Sequence, residues 1–344
     1  VARARTAFLI GTSGIGGSVW HQPALKALAV TRGPLTVFAR KATRTGDLFL
    51  HEPYVERVIE FDRARGPRHV KCFLDLVAAF KAAGCEESWI FHDKTYYAAA
   101  AYLGGVPNRY GFGAGLQKLY LNRGETIRQD RSLCGEGGVV ESARVMLRRN
   151  GIAIGDETPR LTARPDAVEA VLARLGDLPR PWYVLGTTCL EERRRWSPEG
   201  FAILARRLVE QGGGTALFTG APDHAWQVAQ TTQHLQPGGP WRDLSLEGLP
   251  LTESIAVMQQ SAVYIGNDSG PLNIAAALEV PAYGLFGDHD PHGSLSPEIR
   301  VILPDPRLEG PTGMARITPE AILARLAADG FDPSLPAASG LRRA

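Results

Sequence analysis

The residues best suited to chemistry stand between a β-branched run and an alanine-rich stretch, in Val263-Tyr-Ile-Gly-Asn-Asp-Ser-Gly-Pro-Leu-Asn-Ile-Ala-Ala-Ala-Leu278. The string reads as a strand, a tight turn over Asn267 to Gly270, and a helix. Asp268 and Ser269 can cap that helix, Gly270 lets a ligand approach the backbone, and Pro271 suits the first helical position because its missing N–H costs nothing there. The free N–H groups that follow, with the helix dipole, favour an anion such as a diphosphate. A well-capped buried helix without a ligand would have the same sequence, so neighbouring elements must decide.

Two more strings follow predicted strands. Val184-Leu-Gly-Thr-Thr-Cys189 leads into Arg193-Arg194-Arg195-Trp196 and the helix start Ser197-Pro198-Glu199. Thr187 and Thr188 offer hydroxyl and backbone donors, and Arg194 can clamp phosphate oxygens, although an arginine run also suits a solvated loop. In Leu217-Phe-Thr-Gly-Ala-Pro-Asp-His224, a glycine turn can set Asp223 or His224 against a sugar hydroxyl. Ligands of open α/β sheets bind at the carboxyl ends of strands, so all three strings are expected at one crevice.

The first half holds another strand, glycine-rich turn and helix, Phe8-Leu-Ile-Gly-Thr-Ser-Gly-Ile-Gly-Gly-Ser-Val-Trp-His-Gln-Pro-Ala-Leu25. Near this loop the side chains able to take a proton are Ser18 and His21, with His92 and Asp93 after a further predicted strand. His21 has a suitable intrinsic pKa, near 6.5, but a histidine beside a helix start also serves structure. Gly11-x-x-Gly14-x-Gly16, with Arg40 and Lys41 ending a second strand, also resembles an NADP-binding fold, which makes a reductase an alternative.

The elements that must position these residues form a repeating pattern. In the first half, apolar runs at Thr6–Ile10, Leu35–Ala39, Val58–Phe61 and Ser88–Phe91 alternate with helical periodicity at Pro23–Ala29, Phe73–Ala83 and Tyr96–Leu103. A helical stretch within Leu133–Asn150 and a Gly, Pro and Thr-rich linker over Ile152–Pro165 follow. The rhythm then restarts with strands at Trp182–Gly186, Thr215–Thr219, Ala262–Gly266 and Ala282–Phe286. Helices are expected at Pro165–Leu175, Pro198–Gln211, Ala225–His234, Leu251–Ser261, Pro271–Leu278 and Thr318–Asp329. The fold class is therefore α/β with two Rossmann-like domains, 1–163 and 164–330, and a frayed tail over 331–344. A chain of 344 residues is long enough for two cores.

Thirty-eight basic against 36 acidic side chains leave a net charge of +2, which gives no bulk attraction to nucleic acid. The four cysteines, Cys72, Cys85, Cys134 and Cys189, have no C-x-x-C spacing and read as reduced thiols. No apolar run is long enough to span a bilayer, and Val1 to Ile10 has no signal-peptide h-region, so a cytoplasmic protein is expected.

Thr187-Thr188, Arg-x-Trp before a Pro-Glu helix start, the Thr-Gly-Ala-Pro turn, Leu249-Pro-Leu-Thr-Glu, and Asn267-Asp-Ser-Gly-Pro with Ala-Ala-Ala-Leu278, Pro281 and Leu285-Phe-Gly287 occur together and in order. Over most of Trp182 to Pro291 this resembles the ADP-heptose lipopolysaccharide heptosyltransferases, glycosyltransferase family 9. The resemblance implies the GT-B architecture, two Rossmann-like domains facing a central cleft, and an inverting transfer of heptose from ADP-heptose. It implies that Thr187, Thr188 and the turn Asp268, Ser269, Gly270, Pro271 and Leu272 hold the diphosphate and sugar. Arg194 stands where the family often has lysine, Leu249 would pack on adenine, and Asn273 replaces a frequent histidine. The first-domain loop Gly14, Ile15, Gly16, Gly17 and Ser18 would face the acceptor, a saccharide or lipid-linked saccharide.

The family's presumed general base, an aspartate, falls on Gly17. Another side chain, His21 or Asp93 among the candidates, must then take the proton, or the chain is a catalytically inactive nucleotide-sugar-binding protein. No metal and no cofactor are expected, since backbone N–H groups and Arg194 can carry the leaving charge. A lipid-borne acceptor would suit peripheral contact with the inner membrane through Arg3, Arg5, Arg40, Lys41 and Arg44.

Overall fold

Strands buried on both faces must be apolar throughout, and this is why the continuous runs of the first half become central strands. In the computed structural model, which describes residues 5–127, 138–155, 158–288, 291, 296–331 and 333, β1 (Thr6–Ile10) is buried at all five positions. It pairs in parallel with β2 (Leu35–Arg40) on one side and β4 (Glu87–Phe91) on the other. The edges are β3 (Val55–Phe61) and β5 (Asn108–Gly111), giving the order β3-β2-β1-β4-β5. Among the helices of this unit are α1 (Ile15–Arg32), α3 (Arg68–Ala83), α4 (Thr95–Leu103) and α5 (Gly138–Arg149), with a short α2 (Thr45–Phe49).

The second unit repeats the winding. β6 (Trp182–Gly186) lies between β7 (Thr215–Phe218) and β9 (Val263–Asn267), and β10 (Ala282–Leu285), β11 (Ile299–Ile302) and β8 (Trp241–Asp243) complete the parallel order β11-β10-β9-β6-β7-β8. Helices α6 (Pro165–Leu175), α7 (Pro198–Gly212), α8 (Ala225–Thr232), α9 (Leu251–Gln259), α10 (Gly270–Ala277) and α11 (Pro319–Ala328) belong to this unit. The compact units divide between Arg160 and Leu161. Each has its own core, around Phe38, Phe80 and Ile90 in the first and around Tyr183, Phe201, Phe218 and Ile265 in the second.

Both sheets reverse their winding next to the first strand of the unit, between β1 and β4 and between β6 and β9. Such switch points open a crevice at the carboxyl ends of the strands. The expected tail lies outside the described residues except at its start, which is not frayed: Phe331 packs on the second core, and the Pro333 carbonyl accepts from the Tyr183 hydroxyl at 3.3 Å. Cys134 and Arg3 also lie outside the described residues. Among the described residues no helix is long and apolar enough to cross a membrane.

Candidate functional site

At the β6/β9 switch point the converging loops are tied together by Asn267, the last residue of β9. It is fully buried, its Oδ1 accepting from the Trp196 backbone N–H at 2.9 Å and its Nδ2 donating to the Thr187 carbonyl at 2.8 Å. One amide thereby fixes the loop after β6 and the start of α7 against the end of β9. In sequence it looks like a turn residue, yet an amide at the end of an otherwise apolar central strand is a signal, since a buried polar group needs partners. Gln227 of α8 has a similar part: its Oε1 accepts from the Cys189 N–H at 2.9 Å. The Gln227 Nε2 and the Thr187 hydroxyl are buried without a hydrogen-bond partner among the described residues.

Arg194 closes the group. Its Nη1 donates to Asp268 Oδ2 at 2.7 Å, and its Nε lies 3.1 Å from Glu191 Oε2. The expectation that Asp268 and Ser269 both cap α10 is corrected here. Asp268 is engaged with Arg194, and Ser269 holds the N-cap position with extended backbone while its hydroxyl makes no capping bond. The α10 N-terminus consequently presents Gly270 and Pro271 at its start with no help from the Ser269 side chain. Leu272 is fully buried, so only its backbone can meet a ligand. Asn273 turns its Nδ2 back onto the Ser269 carbonyl at 3.2 Å. Thr188 is half-buried against Gly220, where an added Cβ would stand 2.7 Å from its Cγ2. Asp223, exposed, and His224, half-buried, sit in the 3-10 turn Pro222–His224 after β7, and Leu249 is half-buried two residues ahead of α9.

The β1/β4 switch point carries a polar pocket of about 340 Å³, lined by Gly11, Thr12, Ser13, Arg40, Arg63, Ala64, Arg65, His92 and Lys94. Four of these side chains are cationic and none is acidic, which makes the pocket a local anion trap in a chain with nearly balanced charge. Arg63 lies 5.5 and 5.9 Å from the rings of Tyr96 and Tyr97. The residues expected to face the acceptor need correction. Helix α1 begins at Ile15, so Gly16, Gly17 and Ser18 are buried in its first turn, Gly14 is its N-cap, and the loop that reaches the pocket is Gly11 to Ser13.

The proton acceptors separate as sharply. Ser18 is buried in a chain of hydroxyls, 2.8 Å from Thr45 Oγ1, which in turn lies 2.7 Å from Thr43 Oγ1. His21, a candidate base in the sequence, is fully buried edge-on to Phe8 and Phe91, and its Nδ1–H donates to the Gly17 carbonyl at 2.5 Å. Burial pushes its pKa down to about 4, so it is a neutral core residue with no route to a substrate. Gly17 leaves no room for the missing aspartate either, since an added Cβ would stand 2.4 Å from Thr12 Oγ1. Asp93 is exposed, between the pocket-lining His92 and Lys94 in sequence, with its Oδ1 2.7 Å from His92 Nδ1.

The expected basic face is largely compensated: Lys41 pairs with Asp62 at 3.1 Å and Arg44 with Asp47 at 2.5 Å, while Arg40 lines the pocket. Among the described residues no cluster of three or more His, Cys, Asp or Glu could hold a metal ion. The expectation of a metal-free site nevertheless overlooks one Asp-x-Asp triplet, Asp288-His289-Asp290. Asp288 accepts from the Gly313 N–H at 2.6 Å and from Arg316 at 3.0 Å, and its two companions lie outside the described residues.

Two tandem parallel sheets, each with its polar residues at a switch point, give the paired Rossmann-like fold known as GT-B. The model of glycosyltransferase family 9 (heptosyltransferase) matches residues 139–303. Lipopolysaccharide heptosyltransferase 2 of Salmonella typhimurium is 20% identical over 309 residues, 86% of either chain. The structure of E. coli ADP-heptose lipopolysaccharide heptosyltransferase II superposes with a TM-score of 0.76 at 18% identity, over 94% of this chain and 98% of that one. E. coli heptosyltransferase WaaC with ADP-2-deoxy-2-fluoro heptose gives a TM-score of 0.70 at 16% identity, covering 94% and 99%. By these likenesses the chain resembles the heptosyltransferases of glycosyltransferase family 9, in fold over most of its length and in sequence over residues 139–303.

Proposed function

We propose that this protein transfers heptose from ADP-heptose to a saccharide of a lipopolysaccharide core, with inversion and without a metal ion. The observation that carries the reading is the convergence of Thr187, Arg194 and the start of α10 at the β6/β9 switch point, where Thr187 Oγ1 and Gln227 Nε2 are buried without partners among the described residues. The diphosphate lies against the Gly270 and Leu272 N–H groups and Arg194, Thr188, Asp268 and Asn273 serve the phosphates and sugar, and Leu249 packs on adenine. Charge building on the departing ADP is then met by donors already in place. The acceptor lies at Gly11 to Ser13, and Arg40, Arg63, Arg65 and Lys94 select an anionic saccharide. Its hydroxyl attacks the anomeric carbon opposite the diphosphate. A lipid-borne acceptor places the enzyme at the cytoplasmic face of the inner membrane.

A second reading rests on Gly17, whose space is filled by Thr12: a protein that binds the nucleotide sugar without turning it over. Calorimetric titration with ADP, UDP, GDP and NADPH, each with and without Mg²⁺, tests the site independently of the acceptor. ADP binding that ignores Mg²⁺ supports the proposal, and NADPH binding without any nucleoside diphosphate rejects it. Turnover of ADP-heptose then separates enzyme from binding protein.

A further inference from the structure

If the first domain receives the acceptor, some group there must take its proton, and the structure removes the obvious ones. Gly17 has no side chain and no space for one, Ser18 is enclosed with Thr45 and His21 is sealed in the core. His92 remains. It follows β4 directly, lines the pocket, and lies across the switch point from β1, so close to Gly11 that an added Cβ there would stand 2.2 Å from its Cδ2. The Tyr97 ring meets it edge-on at 5.0 Å, and the Tyr97 hydroxyl donates to the Gly11 carbonyl at 3.2 Å, so strand end, ring and loop are fixed together.

Resting on the transferase reading above, we infer that His92, oriented by Asp93, accepts the proton of the acceptor hydroxyl, in place of the aspartate missing at Gly17. Asp93 Oδ1 lies 2.7 Å from His92 Nδ1, and in this assignment Nδ1 carries the hydrogen toward that carboxylate while Nε2 keeps its lone pair. The Lys94 N–H also points at Nδ1, at 3.2 Å, a donation that the Nδ1–H tautomer gives up in exchange for Asp93. As the hydroxyl oxygen bonds to the anomeric carbon, its proton passes to Nε2. The bond from that carbon to the diphosphate breaks with its electron pair, and ADP leaves. The imidazolium so formed is stabilised by Asp93, which makes Asp93 a positioning residue.

Charge around the ring sets the balance. Burial lowers the His92 pKa, Asp93 raises it, and Lys94 and Arg63 lower it, while His21 faces it from α1 and Arg40 and Arg65 share the pocket. His92 is thus neutral near pH 7 and ready to accept.

The experiment has two arms on the full chain. Histidine nitrogen NMR at pH 7 should find His92 protonated on Nδ1, and an Nε2–H tautomer overturns the proposal without any acceptor being known. Kinetics with ADP-heptose and inner-core-truncated lipopolysaccharide should show His92→Gln lowering kcat by about 10²- to 10⁴-fold with calorimetric ADP affinity unchanged. Asp93→Asn should shift the acid limb of the kcat profile to lower pH, because the charge that raises the His92 pKa is gone. Retained kcat in His92→Gln, or loss of the limb itself in Asp93→Asn, overturns His92 as the base. Failure of wild-type protein to bind ADP would instead reject the transferase reading.

Discussion

Arg194 and Asp268, 74 residues apart in sequence, meet at 2.7 Å at the N-terminus of α10. Both are half-shielded, with side chains 27% and 18% exposed, so the pair is neither a surface ornament nor a sealed core bridge. The carboxylate holds the guanidinium beside the helix dipole, where an incoming diphosphate would meet it already oriented. Replacing Arg194 with Ala is expected to weaken ADP binding by about 1–3 kcal/mol, the worth of a charged hydrogen bond. Asp268→Asn keeps an oxygen for Arg194 and should weaken ADP binding much less. Calorimetric titration of both variants checks this, and equal losses would make Asp268 a direct ligand of ADP.

The parts of this site that could be read in advance follow a physical rule. Central strands such as β1, β6 and β9 are buried on both faces, and their unbroken apolar runs stand out. Strands β5 (Asn-Arg-Tyr-Gly) and β8 (Trp-Arg-Asp) carry no such signal, because edge strands are short and half-solvated and need little apolar pattern. The edge strand β11 is silent in sequence for the same reason. The turn at Asp268 to Gly270 was legible because capping and anion binding use the same residue types. The first-domain loop was not: low helix propensity hid a helix that starts at Ile15, where Gly17 N–H bonds to the Gly14 carbonyl at 3.1 Å and tertiary packing outweighs propensity. Nor can spacing alone show that His21 points inward while His92 lines the pocket.

Asn267 should matter to both stability and binding. Asn267→Ala strands the Trp196 N–H and the Thr187 carbonyl, two buried groups that each lose a bond near 2.9 Å. A cost of about 2–4 kcal/mol is expected from two unsatisfied backbone groups, read as a lower urea midpoint at unchanged m-value. ADP affinity should fall as well, because the loop bearing Thr187 is no longer pinned to β9.

Restoring the family's aspartate is expected to fail. In Gly17→Asp the new Cβ would stand 2.4 Å from Thr12 Oγ1 and 2.6 Å from Thr12 Cβ, too close for a small side-chain rotation to relieve. Overpacking of this kind costs about 1–3 kcal/mol. Thermal melts should show Gly17→Asp destabilised and Thr12→Gly with Gly17→Asp substantially recovered. An undisturbed melting temperature for the single variant would mean that Thr12 yields easily.

His21 should give the protein a sensitivity to mild acid. Unfolded, it titrates at the ordinary value of 6.5; folded, burial holds it down at about 4. Above pH 6.5 neither state binds the proton, and the group contributes no pH dependence. Between about 6.5 and 4 the unfolded chain binds a proton that the native state refuses, so stability falls as pH falls, by up to about 1.4 kcal/mol per unit and about 3 kcal/mol in all. Below that range both states are protonated and the loss is complete. His21→Gln keeps a donor for the Gly17 carbonyl but cannot titrate. Urea midpoints measured from pH 7.5 to 4.5 should therefore fall less steeply in the variant than in the wild type. Carboxylates common to both proteins cancel in that difference, and parallel curves would place the His21 ring in contact with water in the native state.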